Sequence, residues 1–194
     1  MDVCGIVLAG GEGTRFGGPK ALARTADGTP WLHRVVAALR AGGCGRVLVA
    51  LGAAADEARE LVPDGAEAIV VDDWTLGLAA TLRAALAAVE GADAAVIAPV
   101  DVPDLPASAV ARLVALAAPS GLAQAVYEGR PGHPALIGAD HIAAVRASAT
   151  GDRGARLYLR THAAAEIECS DLWHGQDQDT PPPSLSPSPS SHQD

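Results

Sequence analysis

Short apolar runs alternate strictly with longer stretches of helical period, and this alternation constrains the fold of the chain more than any other feature. Val3–Ala9, Arg46–Leu51, Glu67–Val71, Ala94–Ala98 and Leu122–Tyr127 are apolar runs closed by Gly, Pro or Asp, the pattern of buried strands. Between them, Pro30–Ala41, Ala54–Leu61, Leu78–Val89 and Pro106–Ala117 carry apolar residues at helical spacing. Pro106 suits a first helical turn, where no amide donor is required. The order βαβαβαβαβ predicts a mostly parallel sheet covered on both faces by helices, with ligands taken up at the carboxyl ends of the strands. A hydrophobic fraction of 49%, mostly alanine, valine and leucine, suits helices packed on a sheet, and 194 residues suffice for one core.

Charge and composition narrow the partners. Lys and Arg total 14 against 23 Asp and Glu, a formal charge of −9, so most of the surface repels a polyanion. Aromatic residues make up only 3%, too few for a base-stacking platform. Nucleic acid is therefore not an expected partner, and a phosphate ligand has to be held locally. Cys4, Cys44 and Cys169 lie far apart with no CxxC pair, which indicates neither a disulfide framework nor a structural zinc site and points to the reducing cytoplasm. The N-terminus enters the first strand without a basic region and cleavage site, and no apolar run reaches the ~20 residues that span a bilayer, so neither secretion nor membrane insertion is expected. Residues 1–180 are expected to form one domain. Pro181–Asp194 (PPPSLSPSPSSHQD) has little to bury and many prolines, and is expected to be a disordered tail.

Two segments fall at the expected mouth of the sheet: Gly10–Lys20 after the first strand and Pro99–Asp104 after the fourth. Glycines at positions 10, 11, 13, 17 and 18 allow backbone amides to turn inward on a phosphate chain, and Arg15 and Lys20 add cationic donors. The ordinary alternative is a flexible strand-to-helix turn. The loop's position and its two cations favour phosphate binding. A P-loop ATPase requires GxxxxGK followed by Ser or Thr, whereas Gly17 is followed here by Gly-Pro-Lys-Ala. A dinucleotide-binding loop requires GxGxxG and an acidic residue closing the second strand, whereas this chain has GxGxxxG and Ala50-Leu51-Gly52. Asp101, in APVDVPD, is placed to offer a carboxylate to Mg²⁺, a hard ion that prefers oxygen and bridges phosphates. A helix cap is the competing role for such an aspartate, and Asp104 suits it better.

The longer pattern LAGGxGxRxGxxKAL over Leu8–Leu22 resembles the MobA-like nucleotidyltransferases that modify the molybdenum cofactor, a branch of the sugar-nucleotide pyrophosphorylase fold. Further segments resemble the same family in the same order. APVDVPDLP is similar to its xxDxPxV metal segment, and Trp74-Thr-Leu-Gly77-Leu-Ala-Ala-Thr81-Leu to its WxxGMxxSL segment. Gly129-Arg-Pro-Gly-His133-Pro134 is similar to its GRRGHP element, Gly151-Asp152-Arg153-Gly154-Ala155-Arg156 to its GDxGAR, and Asp177-Gln-Asp179-Thr-Pro181 to the start of its DxDTPED close. Pro131 stands where the family has an arginine, and the final Glu-Asp is absent.

The resemblance, which covers roughly residues 3–181 and is closest to the molybdenum cofactor cytidylyltransferases, implies a three-layer α/β/α Rossmann-like nucleotide-diphospho-sugar transferase fold with a mostly parallel mixed sheet. It further implies that Leu8, Ala9, Gly10, Gly11, Gly13, Thr14, Arg15, Lys20, Gly77, Thr81 and Asp101 hold a nucleoside triphosphate, CTP or GTP. Arg15, Lys20 and Asp101 would act in catalysis, and Asp101 and Asp177 would ligate Mg²⁺. The GHP and GDxGAR segments would border a pocket for a phosphorylated acceptor such as molybdopterin cofactor. Gly10, in LAGG, resembles members that use GTP, whereas the later segments favour the cytidylyl branch. A non-catalytic cofactor chaperone for a molybdenum hydroxylase, a molybdoenzyme partner, is the alternative; Arg15, Lys20 and Asp101 argue against it.

Overall fold

The computed structural model describes residues 1–180, so the expected tail at 181–194 lies outside the described residues. Seven strands form one sheet: β1 (Val3–Ala9), β2 (Arg46–Leu51), β3 (Glu67–Val70), β4 (Ala94–Pro99), β5 (Leu122–Tyr127), β6 (Arg130–Gly138) and β7 (Ala165–Glu168). Their spatial order is β3-β2-β1-β4-β6-β5-β7. β1, β2, β3 and β4 pair in parallel, β6 runs antiparallel to both β4 and β5, and β7 returns parallel to β5. The sheet is thus mixed and mostly parallel, as expected.

Helices α1 (Trp31–Ala41), α2 (Ala55–Arg59) and α4 (Ala107–Val114) cover one face; α3 (Leu78–Ala87), α5 (Ala139–Ser148) and α6 (Arg156–Thr161) cover the other. Alternation along each strand feeds the two cores. Val3, Val7 and Ala9 of β1 join Trp31, Leu32, Val35 and Leu39 of α1, whereas Ile6 and Leu8 join Leu82, Ala85 and Leu86 of α3. Both cores are mainly aliphatic, the condition that lets parallel strands run at the centre of a sheet.

The first five strands and first four helices lie within a few residues of their expected bounds, but four elements beyond Tyr127 were not expected: β6, α5, α6 and β7. β6 sits between β4 and β5, so the sheet order cannot be read from strand sequence alone. The role expected of Asp104 is also corrected. Pro106 occupies the N-cap of α4 with no side-chain capping bond, and Asp104 instead pairs with Arg34 at 3.1 Å. Among the described residues no helix is long and apolar enough to cross a membrane.

Candidate active site

The mouth of the sheet forms where β1 and β4 end side by side. The amide of Val100 donates to Leu8 O at 3.0 Å, continuing the strand pairing by one residue, so Asp101 emerges beside Gly10. The loop after β1 then folds on itself. Gly13, at φ +62°, turns its carbonyl to accept the amides of Phe16, Gly17 and Gly18, and a Cβ there would run into the Gly18 carbonyl. This refines the expected anion nest: the amides of residues 16–18 close the loop rather than face a ligand. The segment Gly11–Arg15 is the part left open to the cavity.

All eleven residues expected to hold the triphosphate line one cavity of about 690 Å³. Leu8 and Ala9 form its floor at the end of β1; Gly10, Gly11, Gly13, Thr14 and Arg15 form one wall; Lys20 and Asp101 close one side. Gly77 and Thr81 approach from α3, together with Trp74. Thr81 is the buried polar side chain of the core, at 2% exposure, and it packs directly on Gly10. A Cβ at position 10 would overlap Thr81 Oγ1 and stand 3.0 Å from Cγ2 and 3.2 Å from Cβ. Gly10 is therefore required by packing, a reason the sequence alone does not reveal.

Charge is concentrated at the closed side. Lys20 Nζ donates to Asp101 Oδ2 at 2.8 Å and to Asp179 Oδ1 at 2.7 Å. Partial burial opposes the ammonium, but the two carboxylates outweigh it and hold Lys20 above the usual lysine range. Asp179 belongs to a strap, residues 176–180, that returns across the mouth from β7. The Gln178 amide donates to Asp101 O at 2.8 Å, and its side-chain amide donates to Asp104 Oδ2 at 2.7 Å. Gln178 and Asp179 were not among the expected site residues; the DxDTP segment was the one signal in the sequence that could have pointed to them.

Asp177 does not line the main cavity. It faces two adjoining ones, of about 260 and 640 Å³. Withdrawal from water, then the charges of Asp101 and Asp179, push its carboxyl up to about 6. Asp101 Oδ1 is shut away from water with no hydrogen-bond partner. An orphaned carboxylate oxygen beside a second, charge-coupled carboxylate fits a divalent cation. Among the described residues no three His, Cys, Asp or Glu side chains converge on one point, so such an ion would complete its shell with phosphate and water, as Mg²⁺ commonly does.

The smaller cavity joins Gly132 and His133 of β6 to Asp152, Arg153 and Arg156. It meets the main cavity at Leu8, Leu78 and Asp152. The amide of Ala79 donates to Gly151 O at 2.8 Å, fixing the Gly151–Arg156 turn to the start of α3. Burial holds His133 below the usual histidine range, against the opposing charge of Asp101. A neutral imidazole suits a structural role more than that of a proton carrier, and Tyr127 OH donates to His133 O at 2.6 Å, tying β6 to β5 at that point.

The model of the MobA-like NTP transferase domain matches residues 5–166. Nicotine blue oxidoreductase of Paenarthrobacter nicotinovorans is 34% identical over 92% of this chain and 92% of its own length. A molybdenum cofactor guanylyltransferase of Burkholderia vietnamiensis is 36% identical over 88% and 87%. Among solved structures, a mycobacterial protein from Mycobacterium sp. strain JC1 superposes with TM-score 0.80 at 32% identity, covering 92% of this chain and 90% of that one. A manganese complex of a Mycobacterium tuberculosis H37Rv protein superposes with TM-score 0.71 at 25% identity, covering 87% and 89%.

Proposed function

The chain belongs to the MobA-like NTP transferase family, and from that premise we propose that it transfers a nucleoside monophosphate from a nucleoside triphosphate to a phosphorylated acceptor of the molybdopterin cofactor class. The observation that carries this reading is the convergence of the glycine loop, Lys20 and Asp101 on one cavity that adjoins a second, arginine-lined one. In this reaction a phosphate oxygen of the acceptor forms a bond to the α-phosphorus of the donor, the bond from that phosphorus to the bridging oxygen breaks, and pyrophosphate leaves. Phosphate oxygen is already nucleophilic, so no strong protein base is needed, in keeping with the neutral His133.

The residues divide the work by position. The open amides of Gly11–Arg15 bind the phosphate chain, while the Arg15 and Lys20 side chains neutralise charge that develops on the leaving pyrophosphate. Arg153 and Arg156 orient the acceptor phosphate from the adjoining cavity. Asp101 and Asp177 would hold the divalent ion, Mg²⁺ in our reading, which when bound screens the facing phosphates from one another. We place the reaction in the cytoplasm, where the free, buried thiols of Cys4, Cys44 and Cys169 are at home.

CTP is the donor we favour, on the combined resemblance of the WxxG, GHP and GDxGAR segments to the cytidylyl branch. GTP is the second reading, supported by Gly10 and by the guanylyltransferase relatives. Purified protein incubated with Mg²⁺, each nucleoside triphosphate in turn and molybdopterin cofactor should release pyrophosphate with one triphosphate preferred. Triphosphate binding without turnover under every condition would favour a chaperone for a molybdenum hydroxylase and overturn the transferase reading.

A further inference from the structure

Lys20 is the cation nearest the metal-binding carboxylate, yet two of its three ammonium donors are already engaged by Asp101 and Asp179. The two partners differ sharply. Asp101 is 21% exposed and fixed at the end of β4, whereas Asp179 is 70% exposed and reaches Lys20 from the strap. Lys20 itself is only 15% exposed, so Asp179 covers its outward side. Asp177, two residues before, adds a third carboxylate to the same neighbourhood. A triphosphate entering beside Lys20 would bring several further negative charges against Asp179, whose one salt bridge among the described residues is with Lys20 and which otherwise feels only the more distant charge of Arg15.

We propose that Asp179 is an internal stand-in for the donor's phosphate: it neutralises Lys20 in the empty site, gives Lys20 up when the triphosphate arrives, and releases the strap at residues 176–180 from the mouth. The inference rests on the triphosphate reading of the main cavity. Because Asp177 of the strap also lines the two adjoining cavities, its release alters the acceptor side as the donor side fills. Donor and acceptor binding are thereby coupled through one short segment, with Lys20 as the shared cation.

Two measurements on the full chain test this. The first is binding of inorganic tripolyphosphate, in EDTA so that metal ligation cannot contribute. Asp179→Asn should tighten it about three- to fivefold, the range expected when a solvent-exposed ionic competitor is removed, while Asp179→Glu should stay near the parent value. Weaker or unchanged binding by Asp179→Asn would overturn the proposal, because a carboxylate that competes with phosphate for Lys20 must raise affinity when lost. The second is hydrogen exchange at the Gln178 amide, which donates to Asp101 O. Exchange should quicken on saturation with the preferred nucleoside triphosphate; slower exchange would mean that the strap closes on the donor, and the proposal would fail. If the parent protein binds tripolyphosphate but no nucleoside triphosphate, the family-based donor reading fails while the first measurement still decides the role of Asp179.

Discussion

Gly10→Ala is the substitution whose outcome the structure determines most sharply. The added methyl would meet Thr81 on three atoms at once, overlapping Oγ1 and standing 3.0 Å from Cγ2 and 3.2 Å from Cβ. A threonine fills two of the three staggered positions about χ1, so no rotamer vacates both crowded positions, whereas a serine can vacate both. Thr81 is 2% exposed and packed between β1 and α3, so it cannot swing aside into water. Overpacking of this kind costs about 1–3 kcal/mol, and the loss of one buried methyl in Thr81→Ser costs about 1 kcal/mol. With about 2 kcal/mol for Gly10→Ala, independent effects would sum to about 3 kcal/mol, whereas the double variant should lose only about 1 kcal/mol, a coupling near 2 kcal/mol. Urea unfolding of the four proteins, read by far-UV circular dichroism, measures each corner of this cycle. Gly10→Ala within about 0.5 kcal/mol of the parent, or a double variant that loses the simple sum, would refute the packing argument.

Four further outcomes follow from the site. Asp101→Asn should abolish metal-dependent pyrophosphate release while leaving the unfolding midpoint within a few degrees; unchanged turnover across a Mg²⁺ titration would remove Asp101 from the metal site. Arg153→Ala should raise the KM for the acceptor and leave the KM for the donor unchanged, since Arg153 lines the smaller cavity alone. Asp177 is pushed up from 3.8 to about 6, so its charge opposes folding above that range and has no effect below about pH 4. Asp177→Asn should therefore raise Tm at pH 7.5 and leave it unchanged near pH 4. His133 has the opposite sign: held below its ordinary 6.5, it contributes stability that is complete above pH 6.5 and is lost as the pH falls through its folded value. His133→Gln should flatten the acid-side decline in Tm, and an unchanged decline would show that the imidazole is not the group responsible.

The parts of the fold visible in the sequence are those where burial is symmetrical. β1, β2 and β4 are enclosed on both faces and read as unbroken apolar runs. β6 escapes the same reading because Pro131, Gly132 and Pro134 interrupt it, residues that ordinarily argue against a central strand. α5 escapes because Val145 is its one fully buried residue, so its helical stripe is too thin to register. At the site, the alternation brought the loop after β1 and the segment after β4 to the same end of the sheet, whereas the approach of Lys20 to Asp101 depends on β1 lying beside β4. The contact of Lys20 with Asp179 spans 159 residues of chain, and the packing of Thr81 on Gly10 depends on how α3 sits over β1. Neither leaves a local trace in residue type or spacing.

The position of β6 has a consequence for how such chains diversify. The glycine loop and Asp101 belong to four parallel strands contiguous in sequence, whereas the smaller cavity is built mainly from β6 and the turn before α6. Within the sheet the two halves meet along one antiparallel pairing, Ala94 to Ile97 against Ala135 to Gly138. Change in the second half can therefore reshape the smaller cavity while the strands beneath the glycine loop stay in place.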